Sequence, residues 1–202
     1  MMNSGICIFG GSFDPVHKGH VKLAKYVCDT LKLRKMLIIP AAMSPFKNSS
    51  GATEDDRMKM CELSFSDDIF SVSDIEIKRG GKSYTIDTVN EIKALYPDEK
   101  LYLLIGSDQF LSFNRWYKFD EILKNVTLVS VVRDGENSEE DLKRFAAEKL
   151  DIYGETLVLT FSPFEISSTE IRKKAAAGED FSSFVGDEVY AYIKEKGLYK
   201  NV

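Results

Sequence analysis

Five short runs of apolar residues constrain this chain more than any other feature. They are residues 5–9 (Gly-Ile-Cys-Ile-Phe), 36–39 (Met-Leu-Ile-Ile), 101–105, 126–132 and 156–161. Each is too short for a buried helix and apolar on both faces, as strands in the middle of a parallel sheet must be. Glycine, proline or a polar turn follows each run, so the strands stop where the runs stop. Between them the period changes. Val21, Ala24, Val27, Cys28 and Leu31 fall at helical spacing and predict a helix from near His17 to near Leu33.

The same alternation continues along the chain. Thr53 stands as an N-cap before Glu54, Asp55 and Asp56, and Met58, Cys61 and Phe65 predict the buried stripe of that helix. Residues 69–77 alternate like a strand, with a bulge at Asp74. After a turn at 79–83, Thr85 is placed to cap a helix carrying Ile86, Val89, Ile92 and Leu95, halted by Pro97. An acidic helix is expected over 138–150, and 168–197 reads as helical with a break around Gly178. Residues 41–52 hold Pro45, Gly51 and several serines and read as a loop. This order predicts an α/β fold: a doubly wound, Rossmann-like parallel sheet with helices on both faces. The 202 residues are read as one domain, its part from about 165 onward a helical segment.

Composition narrows the function. A chain of this length and 44% hydrophobic content can bury a core without disulfides or metals. Cys7, Cys28 and Cys61 form no C-x-x-C pair and read as buried free thiols, which suits a reducing, cytoplasmic setting. No apolar stretch approaches the ~18 residues of a membrane span, and no signal peptide is evident. The net charge of −5 argues against a nucleic-acid partner but not against nucleotide substrates. A small phosphate site needs only local positive potential and aimed N–H groups.

The residues that carry chemistry lie just past strand ends. The run Gly10-Gly11-Ser12-Phe13-Asp14-Pro15-Val16-His17-Lys18-Gly19-His20 follows the first strand. Its glycines let backbone approach a ligand, and the helix behind them presents N–H groups to phosphate. His17 and His20, the only two histidines, project from one face of that helix's first turn. Two imidazoles over a phosphate can donate to the charge that builds up during nucleotidyl transfer. No serine or cysteine nucleophile is then needed, because one substrate's phosphate can attack ATP directly. A zinc site is the rival reading. It would need further ligands, and the chain has no third histidine and no cysteine cluster. A second run, Ile166-Ser167-Ser168-Thr169-Glu170-Ile171-Arg172, opens a helix with hydroxyls and adds a guanidinium fork in its first turn.

The first run resembles the G-G-x-F-D-P-x-H-x-G-H signature of the nucleotidyltransferase superfamily, and the second resembles its I-S-S-T-x-I-R motif. The middle of the chain is similar to bacterial nicotinate-nucleotide adenylyltransferase. The matching pieces are Lys82-Ser83-Tyr84-Thr85-Ile86-Asp87-Thr88, Gly106-Ser107-Asp108 and Trp116-Tyr117. The resemblance implies ATP and nicotinate mononucleotide as substrates, with Mg²⁺ accompanying ATP and no dedicated protein cage for the metal. It implies catalytic roles for His17, His20 and Arg172. It assigns ATP to Gly10, Gly11, Ser12, Phe13, His17, His20, Ser167, Ser168, Thr169 and Arg172. For the mononucleotide it implies Lys47, Tyr84, Thr85, Asp108, Trp116 and Tyr117. Trp116 would stack on the pyridine ring, and backbone amides near Thr85 and Tyr117 would hold the carboxylate. Two positions depart from the family pattern. Phe46 replaces the histidine of P-P-H-K, and Asp134-Gly135 stands where the family often has proline-glycine. Another adenylyl- or cytidylyltransferase of this fold, such as the phosphopantetheine enzyme of coenzyme A synthesis, and a non-catalytic nucleotide-binding module are the alternatives. A homo-oligomer is compatible with either.

Overall fold

The computed structural model describes residues 5–42, 51–132, 138–161 and 166–200. Its strands are β1 (Ile6–Gly11), β2 (Lys35–Pro40), β3 (Phe70–Val72), β4 (Leu101–Gly106), β5 (Thr127–Val132) and β6 (Thr156–Thr160). They form one parallel sheet in the order β3-β2-β1-β4-β5-β6. The helices are α1 (Lys18–Leu31), α2 (Glu54–Ser64), α3 (Ile75–Arg79), α4 (Thr85–Leu95), α5 (Ser107–Phe110), α6 (Phe119–Asn125), α7 (Glu139–Lys149), α8 (Ser168–Ala177) and α9 (Asp187–Lys196). The expected Rossmann-like α/β fold is the fold observed. Strand order reverses between β1 and β4, and in sheets of this order ligands bind at the carboxyl ends of the strands beside that reversal.

The chain divides into two compact units. One comprises residues 1–10, 26–37 and 84–163. Here Ile8 registers with Leu103, and Leu103 with Leu128. All three are at most 3% exposed, so the apolar runs are interior strands as expected. β6, at the sheet edge, is only half-buried, as a strand with one neighbour must be. Glu155 closes the other end of this sheet. Its carboxylate takes bonds from Lys100 Nζ (2.8 Å) and Thr127 Oγ1 (2.7 Å). The second unit comprises 11–25, 38–83 and 164–202. Its core includes Phe13, Ile39, Met60, Phe65, Ile171, Val189 and Tyr199, all at most 4% exposed.

Several local expectations hold. Thr53 caps α2 in a reciprocal box with Asp56, and α8 and α9 end at Gly178 and Gly197 in left-handed conformations. The three cysteines are buried and free. Burial pushes the Cys28 thiol up to about 12 and raises the other two further, which makes them poor nucleophiles.

Other expectations are corrected. The strand read over 69–77 stops at Val72, and residues 75–79 form α3 instead. Lys78 N–H bonds the Asp74 carbonyl (2.8 Å), and its ammonium pairs with the Asp74 carboxylate one turn away (3.1 Å). Helical pairing of 74 with 78 thus outweighs the I-E-I alternation, and Glu76 is the buried member of that triplet. Tyr84, not Thr85, is the N-cap of α4; its carbonyl accepts from Asp87 and Thr88, and no side chain caps that end. In α2 the buried face is Arg57, Met60 and Cys61, with Met58 only half-buried.

Candidate active site

The first glycine-rich run leaves β1 and turns before α1. Gly11 packs closely on its neighbour: a Cβ there would lie 3.1 Å from the Phe13 ring, which would have to give by a few tenths of an ångström. Phe13 itself takes a left-handed backbone (φ 46°), costly for a bulky side chain. Its ring points inward at 2% exposure, edge-on to His20 (centroids 5.2 Å) and to Phe65 (6.2 Å). What Phe13 could offer a nucleotide is therefore its backbone, while its ring supports His20 from below. The Asp14-Pro15 peptide is cis.

His17 and His20 come together at the start of α1, with ring centroids 3.7 Å apart and planes 25° from parallel. His17 is 7% exposed, and His20 is half-buried. The His17 backbone N–H bonds His20 Nδ1 (3.3 Å), and the His20 N–H bonds His17 Nδ1 (3.4 Å). An Nδ1 that accepts cannot hold the proton, so this hydrogen-bond pattern assigns the neutral rings' hydrogens to Nε2. Lys18, between them in sequence, is held elsewhere: its N–H bonds the Phe184 carbonyl (2.9 Å), and its ammonium reaches the carbonyls of Ser182 (3.4 Å) and Ser183 (3.0 Å).

The second run meets the first. Ser167 caps α8 by accepting from Glu170 N–H (3.1 Å). Ser168 Oγ donates to the Pro15 carbonyl (2.9 Å). Arg172 Nη1 donates to the Asp14 carbonyl (2.7 Å), and Nη2 to Thr169 Oγ1 (3.2 Å). The two motifs, about 150 residues apart in sequence, are thus bonded backbone to side chain within one unit. Part of the Arg172 fork is already engaged in holding the histidine loop.

Of the residues expected to meet the mononucleotide, Tyr84, Thr85, Asp108, Trp116 and Tyr117 fall in the other unit and are described there. Tyr84 and Tyr117 are exposed, with ring centroids 5.1 Å apart. Trp116 is half-buried and tilted against Phe113 (5.0 Å), so its ring is partly core and partly surface. Asp108 is exposed in the first turn of α5, and its carboxylate folds back over Gly106, so close that a Cβ there would lie 2.8 Å from it and would turn the carboxylate away. Thr85 opens α4. Lys47, with Phe46, Arg133 and the Asp134-Gly135 pair, lies outside the described residues.

Sequence reading missed two residues. Arg57 is 8% exposed; its guanidinium bonds the carbonyls of Ser12 (2.9 Å), Ala41 (2.7 Å) and Ala42 (3.4 Å). It joins the loop after β1 to the loop after β2. A cation at helical spacing from buried Met60 and Cys61 was the available signal. Tyr199, 1% exposed, donates its hydroxyl to Asp14 Oδ1 (2.7 Å). No local pattern foretells a bond across 185 residues.

Residues 8–174 match the cytidylyltransferase-like family. The chain belongs to this family. Within the cytidylyltransferase-like proteins, similarity to curated relatives runs from end to end. One from Carboxydothermus hydrogenoformans, named "Probable nicotinate-nucleotide adenylyltransferase", is 37% identical over 201 residues, spanning 99% of this chain and 100% of the relative. Another of that name, from Gemmatimonas aurantiaca, is 37% identical over 194 residues, 96% of this chain and 91% of the relative. Among solved structures, the nicotinic acid mononucleotide adenylyltransferase of Plasmodium falciparum, complexed with NaAD, superposes with a TM-score of 0.80. It covers 96% of this chain and 97% of that one at 18% identity, a likeness of fold.

Proposed function

We infer that this chain is a nicotinate-nucleotide adenylyltransferase. It transfers the adenylyl group of ATP to nicotinate mononucleotide, giving nicotinate adenine dinucleotide and pyrophosphate in NAD biosynthesis. The observation that carries this reading is the end-to-end similarity to relatives bearing that name. A phosphate oxygen of the mononucleotide attacks the α-phosphorus of ATP, the bond to the β-bridging oxygen breaks, and pyrophosphate leaves. Catalysis then rests on positioning and charge stabilisation rather than a covalent enzyme intermediate.

The residue roles are part of this proposal. The Nε2–H groups of His17 and His20 donate to the phosphates of ATP as negative charge moves toward the leaving group. Gly10, Gly11, Ser12 and the backbone of Phe13 line the approach of the triphosphate. Ser167, Ser168 and Thr169 present the start of α8, and Arg172 fixes both that start and the loop carrying the histidines. In the other unit, Trp116 stacks on the pyridine ring, Thr85 and Tyr117 offer backbone N–H groups to its carboxylate, and Tyr84 and Asp108 join them; Lys47, outside the described residues, completes the set. Among the described residues no group of three or more His, Cys, Asp or Glu side chains could hold a metal ion. A Mg²⁺ arriving with ATP needs no such cage, since phosphate oxygens and water are its main ligands, and it would neutralise phosphate charge. No described helix is long and apolar enough to cross a membrane. Three buried free thiols suit a cytoplasmic enzyme. We read the whole chain as one nucleotidyltransferase domain.

The test is turnover with ATP and a panel of acceptors, read as pyrophosphate release. Nicotinate mononucleotide should be the preferred acceptor. Preference for phosphopantetheine, or no turnover with any acceptor, would overturn the reading.

A further inference from the structure

We propose that Tyr199 is a positioning residue for the histidine loop, acting through its bond to the Asp14 carboxylate. The proposal rests on the adenylyltransferase reading and extends it to a residue at the far end of the sequence.

Three observations carry it. The first is the bond itself. The Tyr199 hydroxyl reaches Asp14 Oδ1 at 2.7 Å, with Tyr199 1% and Asp14 2% exposed, so water does not compete for either partner. Burial, and then the facing Asp14, push the Tyr199 hydroxyl well above its ordinary range, which keeps it a donor. The second is backbone strain on both sides of the bond. Tyr199 has φ 65°, and Phe13, next to Asp14, has φ 46°. Left-handed aromatics cost energy and persist where the surroundings over-determine them, a pattern concentrated at functional sites. The third is convergence on one residue. Asp14 takes Tyr199 on its carboxylate and Arg172 on its carbonyl (2.7 Å), and His17 lies three residues further on. Fixing Asp14 by side chain and backbone together fixes where the chain enters α1, and so where the stacked imidazoles point. Reacting groups displaced by an ångström lose much of their rate advantage, so a hydroxyl remote from the phosphates can govern turnover.

Tyr199→Phe deletes one oxygen and keeps the buried ring. Turnover should fall about 10-fold or more, while KM for ATP and for nicotinate mononucleotide stays within about 3-fold. The second readout is the ¹⁵N signals of the imidazoles, unambiguous because the chain has only two histidines. Both rings should shift or broaden in Tyr199→Phe. If the variant melts near the assay temperature, the ring signals are read in the cold, below its melting midpoint. Ring signals identical to wild type, with kcat within 2-fold, would overturn the proposal. The ring signals need no acceptor. Absence of turnover in the wild type would therefore sink the activity reading while this readout still decides the role of Tyr199.

Discussion

The imidazoles of His17 and His20 are stacked 3.7 Å apart, and each residue's backbone N–H reaches the other's Nδ1. Two cationic rings at that separation would repel one another. The geometry therefore favours a pair that is not doubly protonated, with Nε2–H as each ring's donor. Such a pair is equipped to donate hydrogen bonds to a phosphate without itself exchanging a proton.

If these donors act on the transition state, His17→Ala or His20→Ala lowers kcat by roughly 10²-fold or more, with a smaller change in substrate affinity. Both variants should fold, since neither ring is a large part of the core. Steady-state kinetics on each variant is the check, and a fully active His20→Ala would refute the assignment.

Arg172 is the second case. One guanidinium nitrogen holds the Asp14 carbonyl and the other Thr169 Oγ1. Arg172→Ala should raise the ATP requirement about 10- to 100-fold, the worth of a charge-assisted bond. Lysine can meet one of those acceptors but not both, so Arg172→Lys should recover only part. Full recovery, measured as KM for ATP, would show that a point charge suffices.

Arg57 is mainly structural. Arg57→Met removes the donors to the Ser12, Ala41 and Ala42 carbonyls and leaves one buried and two part-buried acceptors short of a partner. Unmet buried groups cost about 1–3 kcal/mol each, so the unfolding free energy should drop by roughly 2–4 kcal/mol. Urea denaturation measures this. A drop below about 0.5 kcal/mol would mean that water replaces the guanidinium.

These residues show how far the sequence could be read. The interior strands were legible because burial on both faces leaves little choice but continuous Ile, Leu and Val. The histidine pair and Arg172 were legible because each sits in a dense local motif. Residues 75–79 misled because Ile75 and Ile77 fit a strand, while the pairing of Asp74 with Lys78 that favours a helix is one weak local signal. The short helices α5 and α6, 4 and 7 residues long, offer too few turns for a period to emerge. Arg57 and Tyr199 work through partners far along the chain, and no window of sequence contains both ends of such a bond.

Substrate choice is the most exposed prediction. Nicotinate and nicotinamide mononucleotides differ by a carboxylate against an amide. N–H donors aimed at both oxygens would meet the amide's own NH₂, and one unpaired group at about 1–3 kcal/mol gives roughly 10- to 100-fold discrimination. Trp116→Ala should weaken both acceptors and leave their ratio mostly intact. The check is kcat/KM for the two side by side. Equal use of the amide would show that no carboxylate site exists near Thr85 and Tyr117.

The bond from Tyr199 to Asp14 spans 185 residues, and that from Arg172 spans 158. A ribosome adds about 5–20 residues per second, so roughly 10–40 s separate the synthesis of Asp14 from that of Tyr199. Throughout that interval the Asp14 carboxylate and carbonyl lack the Tyr199 and Arg172 donors that fix them in the finished fold. A nascent chain carrying both histidines therefore lacks a finished phosphate loop. Competence for turnover should arrive late and abruptly during synthesis, when the second motif and then Tyr199 dock on a loop made long before.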